Sequence, residues 1–133
     1  KTEMDKLLTI FKKQLIDFCD ELICQFPLEG DFLVMKMFIE NQAPTKTIIE
    51  LFNKQLDNNN ERVRNMIIER NENFFLNENP FSFVSGERMN RLTSLWTNES
   101  TTPDDKEIIW NWVSALETIA RKYNDGINIT ASN

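Results

Sequence analysis

The residue clusters in this chain that could do chemistry are carboxylates. The 133 residues contain no histidine, which removes Ser-His-Asp and Cys-His nucleophilic arrangements and every His-based zinc site. Two clusters of acids stand out. Asp104, Asp105 and Glu107 are close enough in sequence to hold a divalent cation. Asp17, Asp20 and Glu21 form a second group. Each has a plainer explanation. Asp104 and Asp105 follow Thr102-Pro103, a helix-start pattern in which first-turn acids complement the exposed amides and the dipole. Asp17, Asp20 and Glu21 lie opposite a hydrophobic stripe and read as a solvated face. Neither GxGxxG nor GxxxxGK[ST] occurs, and three scattered glycines cannot build a phosphate cradle. The expectation is a protein with no catalytic residues, no metal and no cofactor.

The two cysteines, Cys19 and Cys24, are five residues apart on one predicted helix, about 140° around its axis. They cannot join. Cys19 falls on the apolar side as a small core residue, Cys24 on the polar side as a free thiol, and a reducing compartment fits both. The net charge of −6 argues against autonomous nucleic-acid binding and against docking on anionic lipid. No run reaches membrane-spanning length and no signal peptide is visible. A chain that opens on Lys1 is expected to continue upstream. Asn98-Glu99-Ser100 and Asn128-Ile129-Thr130 match the glycosylation pattern, as chance allows in an Asn-rich chain.

The elements that would position these residues are helices. Over 3–26, Met4, Leu8, Phe11, Leu15, Phe18, Cys19, Leu22 and Phe26 keep a three/four rhythm until Pro27. Residues 31–40 are apolar almost all round, which predicts a buried central helix, the most buried element of the fold; a buried strand is the rival reading, with no second strand to pair with it. Pro44 opens a third helix to Leu56, with Ile48, Ile49, Phe52 and Leu56 inward, and a fourth covers about 61–69 through Val63, Met66 and Ile67. Residues 71–85 read as an irregular aromatic loop. Ser85 caps a fifth helix, 86–97, carrying Met89, Leu92, Leu95 and Trp96. The sixth, Thr102 to Tyr123, has its stripe at Ile109, Trp112, Val113, Leu116, Ala120 and Tyr123, and ends before Gly126. The result is an all-α, compact single-domain bundle of five to six helices over 1–125, with 126–133 a polar frayed tail.

The aromatics off that pattern are the candidate contact residues. Phe74, Phe75, Phe81 and Phe83, with Leu76, either cover the core as a lid or present themselves to a partner. Trp110 lies roughly 130° from the centre of the last helix's stripe, on the side of Ser114, Glu117 and Arg121. It is either covered by the loop or another helix, or is an interface anchor. Trp112 is then the core tryptophan of the pair, the one whose removal should cost the isolated domain more.

The segments FPLEGDFLVMKMFIENQ, IIERNENFFLNENPF and DDKEIIWNWVSALETIARKY resemble a family of small helical proteins of large eukaryotic DNA viruses, the giant-virus and algal-virus group, with similar ERxENFFL and DKExIWxWxxxxxxxAxKY segments in the same order. The resemblance covers roughly residues 20 to 123. It implies a viral protein made in the host cytoplasm or viral factory, and it supplies no catalytic motif to transfer. The leading expectation is a non-enzymatic viral protein that contacts other viral or host proteins, as a minor virion component or assembly factor. The alternatives are a host-directed helical adaptor that captures an amphipathic helix in a groove, for which Asn111-Trp112-Val113-Ser114 only partly echoes the death-regulator signature, and a subunit of viral replication or transcription machinery.

Overall fold

The first helix, α1, spans Glu3–Gln25 and starts where Thr2 accepts the Asp5 amide on its hydroxyl at 3.1 Å. In this computed structural model, residues 2–57, 62–76 and 90–132 are described. The other helices are α2 (Asp31–Asn41), α3 (Thr45–Leu56), α4 (Arg62–Ile68), α5 (Asn73–Leu76), α6 (Asn90–Thr97) and α7 (Pro103–Ser132). No strand occurs among the described residues. The protein is all-α.

The long helices α1 and α7 pack against each other and organise the rest. The stripe of α1 is buried at Phe11, Leu15, Phe18, Cys19 and Leu22. Helix α3 lies on both long helices, α4 on α3 and α7, and α2 on α1. Ile48, Ile49, Phe52 and Leu56 of α3 and Val63 and Ile67 of α4 are buried as their spacing requires. The start of α7 is a capping box. Thr102 Oγ1 accepts the Asp105 amide at 3.1 Å, and the Asp105 carboxylate accepts the Thr102 amide at 3.0 Å. Asp105 is thus occupied in starting a helix.

Three expectations are corrected. Helix α7 does not stop before Gly126 but continues to Ser132, so 126–132 is helix and not a polar tail. Gly126 serves close approach instead: a Cβ there would lie 2.6 Å from the Met4 sulfur. The aromatic loop, as far as it is described, is one turn of helix, α5, which raises the number of helices to seven among the described residues. Residues 77–89, with Phe81, Phe83 and the Ser85 cap, lie outside them.

The third correction concerns α2. It is not the most buried element. Phe32, Met35 and Ile39 face inward, but Leu33, Val34 and Met37 are 51%, 42% and 54% exposed, and Leu28 in the preceding turn is 96% exposed. The reason is geometric. A helix resting mainly on one neighbour can bury only one arc, and at 100° per residue positions 33, 34 and 37 fall on the other.

The α4–α5 corner is made without glycine. Arg70 takes a left-handed φ of 54°, while the Asn71 amide reaches the Met66 carbonyl at 2.8 Å and the Arg70 amide reaches that of Ile67 at 3.1 Å, the paired bonds of a Schellman ending. The Arg70 side chain is held by Glu107 and by Asn111, whose Oδ1 accepts at 2.8 Å. Glu107 is therefore an ion-pair partner across the fold.

Candidate functional site

Three of the predicted contact aromatics, Trp110, Phe74 and Phe75, are brought together, but inward. Trp110 is 5% exposed, Phe74 and Phe75 are fully buried, and the fourth member of the cluster is Trp96 of α6. Phe75 stacks on Trp96 with centroids 4.1 Å apart and meets Trp110 edge-on at 4.8 Å, while Trp96 and Trp110 form a T at 5.6 Å. The outer edge is sealed by polar groups. Trp96 Nε1 donates to Glu72 at 3.2 Å, and Lys106 sits over the Trp96 ring at 5.0 Å. Trp110, Phe74 and Phe75 are thus packing residues of this chain, because α5 and α6 cover the side of α7 that the single-stripe reading left open. Trp112, expected at the centre, is half-buried at the border and stacks on Phe18 at 6.3 Å. Phe81 and Phe83 lie outside the described residues.

The sequence reading missed a buried polar hub between α3, α4 and α7. Arg64 and Glu117 are buried. Arg64 donates from Nη2 to Asn53 Oδ1 at 2.6 Å and from Nε to Asp57 Oδ1 at 2.7 Å, and Asn53 Nδ2 donates to the Ala120 carbonyl at 3.0 Å. Glu117 Oε2 lies 3.8 Å from Arg64 Nη1 and 3.6 Å from Arg121 Nε. Those are ion-pair distances without a hydrogen bond, and among the described residues neither Arg64 Nη1 nor Glu117 Oε2 has a hydrogen-bond partner. Nothing in the hydrophobic periodicity signals this hub, since Arg64 and Glu117 sit one residue beside stripe positions Val63 and Leu116.

Burial pushes the Glu117 carboxyl above its ordinary value, and the charges of Arg121 and Arg64 oppose that only in part. The folded chain therefore holds this proton more tightly than the unfolded one. Glu117 contributes most favourably below the unfolded value of 4.5, and that contribution is lost as pH rises through the higher folded value. Glu117→Gln should accordingly gain stability relative to the unmodified chain as pH rises from about 4 to about 7. Urea unfolding of both at the two pH values measures the difference; a constant gap would contradict it.

The Asp17 and Asp20 carboxylates are engaged by lysines at the surface. Lys13 pairs with Asp17 at 2.8 Å, and Lys36 with Asp20 at 2.7 Å. Among the described residues no group of three His, Cys, Asp or Glu is placed to hold a metal ion. The cysteines divide as their helical phase demands, Cys19 buried and Cys24 exposed, both as free thiols. Burial, reinforced by the charge of Asp20, pushes the Cys19 thiol up to about 12. A thiol reagent should label Cys24 at once and Cys19 only after denaturation. Equal native labelling rates would overturn the packing of α1.

Among the described residues, the outer row of α2 with Leu28 is the densest run of exposed large apolar side chains, while Ile10, Leu51, Ile68 and Leu76 are exposed singly. Four large apolar side chains stand in solvent within ten residues, flanked by Glu29, Asp31, Lys36 and Glu40. An exposed apolar patch rimmed by charge is the mark of a contact surface, and the all-round apolarity of 31–40 was its signal in the sequence. No helix among the described residues is long and apolar enough to cross a membrane. No family profile, curated protein or solved structure matches the chain.

Proposed function

We propose that this chain is a non-enzymatic viral protein that acts through protein–protein contacts, as a minor virion component or assembly factor in the infected cell. The observation that carries the contact reading is the outer row of α2, where Leu33, Val34 and Met37 stand exposed beside Leu28. Burying such a row against another protein releases water from apolar surface, the main driving force of association. The charged groups that converge inside the fold are engaged with one another in the Arg64 hub. The viral setting rests on the resemblance of the three segments quoted above.

The test is affinity purification from infected cells of the unmodified chain and of Leu33→Ser/Met37→Ser. The variant should fold, because both side chains are on the surface, and should lose its main partner by about tenfold or more. Retention of every partner would sink the contact reading. Mass spectrometry of purified virions tests the packaging reading separately: abundance supports it, and exclusion with early expression counts against it.

A further inference from the structure

A second surface matches α2. Along the N-terminal half of α1, from Asp5 to Asp17, an open groove of about 780 Å³ is closed on its far side by Pro44, Thr45 and Lys46 at the start of α3. Leu8, Ile16 and Pro44 give it apolar lining, and Lys13, Lys46 and Lys12 stand along it, the last also donating to the Glu40 carbonyl of its own chain at 3.5 Å. Two carboxylates share the wall: Asp17, already held by Lys13, and Asp5 toward the α1 N-terminus. Lysines outnumber aspartates three to two here, on a chain whose overall charge is −6. The α2 segment has the opposite bias, with Glu29, Asp31 and Glu40 against Lys36, which Asp20 of α1 also holds. The lengths agree as well. The groove wall is about 18 Å long and the eleven residues of α2 about 16 Å, at 1.5 Å per residue.

We propose that the outer face of α2 on one protomer docks into the α1–α3 groove of a second copy of this chain. Leu33, Val34 and Met37 lie over Leu8, Ile16 and Pro44, and Glu40 and its neighbours face the lysines. This inference rests on the contact reading above and names the partner. A second copy fits because the chain carries both halves of the match, an apolar ridge with acidic bias and an apolar trough with basic bias. The two patches differ, so the contact is head to tail, and each added copy leaves one ridge and one trough free. A contact made by one face of an eleven-residue helix belongs to the weak, concentration-dependent class.

Mixing two defective variants tests it. Leu33→Ser/Met37→Ser removes the ridge and keeps the groove; Lys12→Glu/Lys46→Glu reverses the groove and keeps the ridge. In sedimentation from about 10 µM to about 1 mM, the range of weak contacts, the unmodified chain should grow in mass with concentration. Each variant alone should stay monomeric, and an equimolar mixture should form a one-to-one dimer, since one intact ridge and one intact groove remain. Circular dichroism confirms that both variants are folded. The proposal is overturned if the unmodified chain is monomeric throughout, if either variant associates like it, as Lys12→Glu/Lys46→Glu would in a ridge-to-ridge pairing, or if the mixture stays monomeric. An unmodified chain that is monomeric yet loses a cellular partner through Leu33→Ser/Met37→Ser would overturn self-docking and leave the contact reading standing.

Discussion

Trp110→Ala should destabilise the protein by about 3–5 kcal/mol, the usual cost of deleting a buried tryptophan. The side chain is 5% exposed and forms ring contacts with Phe74, Phe75 and Trp96. Its loss opens a cavity where α5 and α6 meet α7. Trp112→Ala should cost less, because Trp112 is half-buried at the edge of the α1–α7 contact, where Phe18 stacks on one face. Urea unfolding of both variants gives the order. If Trp112→Ala proved the more damaging, the aromatic cluster would not be the packing unit described above. A loss of that size is a large share of the roughly 5–15 kcal/mol that holds a domain of this kind together.

Arg64→Met should also cost about 3–5 kcal/mol, the range for removing one member of a buried ion pair. The guanidinium serves Asn53, Asp57 and Glu117 at once. Without it, the Asn53 carbonyl oxygen loses its donor and the Glu117 carboxylate keeps only Arg121, at 3.6 Å. Methionine fills similar volume, so the loss reports charge and hydrogen bonding more than packing. Arg64→Met combined with Glu117→Gln should recover part of it, because the carboxylate left behind is then gone. A double variant as unstable as the sum of the two singles would mean that the two groups do not interact across their 3.8 Å.

The candidate contact site was half-legible. The run Phe32 to Ile39 was visible as an excess of apolar residues over what one helix face can bury. That excess has two physical outcomes, enclosure on all sides or a second face left for a partner, and local pattern does not distinguish them. The aromatics of 74–75 and Trp110 posed the same question and had the opposite outcome. They looked surplus to the bundle and were enclosed by it, because α5, a single turn too short to show a period, and α6 came to rest on them. The groove on α1 had no local signal at all. Leu8 is a stripe position of one helix, and Pro44 and Lys46 belong to another helix's start. Only the approach of α3 makes them a surface.

What the sequence determined by itself was helical phase and the start of helices. The three/four spacing placed Cys19 in and Cys24 out. Thr102 and Asp105 started α7, and Pro27 and Pro44 marked ends. These follow from 3.6 residues per turn and from the backbone groups a helix leaves unpaired at its ends, both properties of a few consecutive residues. The tertiary structure decided how wide an arc each helix buries. Helix α7 has neighbours on several sides, and its buried arc runs from Tyr123 through Ile109 to Trp110, enclosing Glu117 with it. Helix α2 rests on α1 and buries a narrow arc, which leaves Leu33, Val34 and Met37 in water. The number of neighbours around a helix is a property of the whole chain's packing, and it settles whether the same apolar side chain becomes core or contact surface.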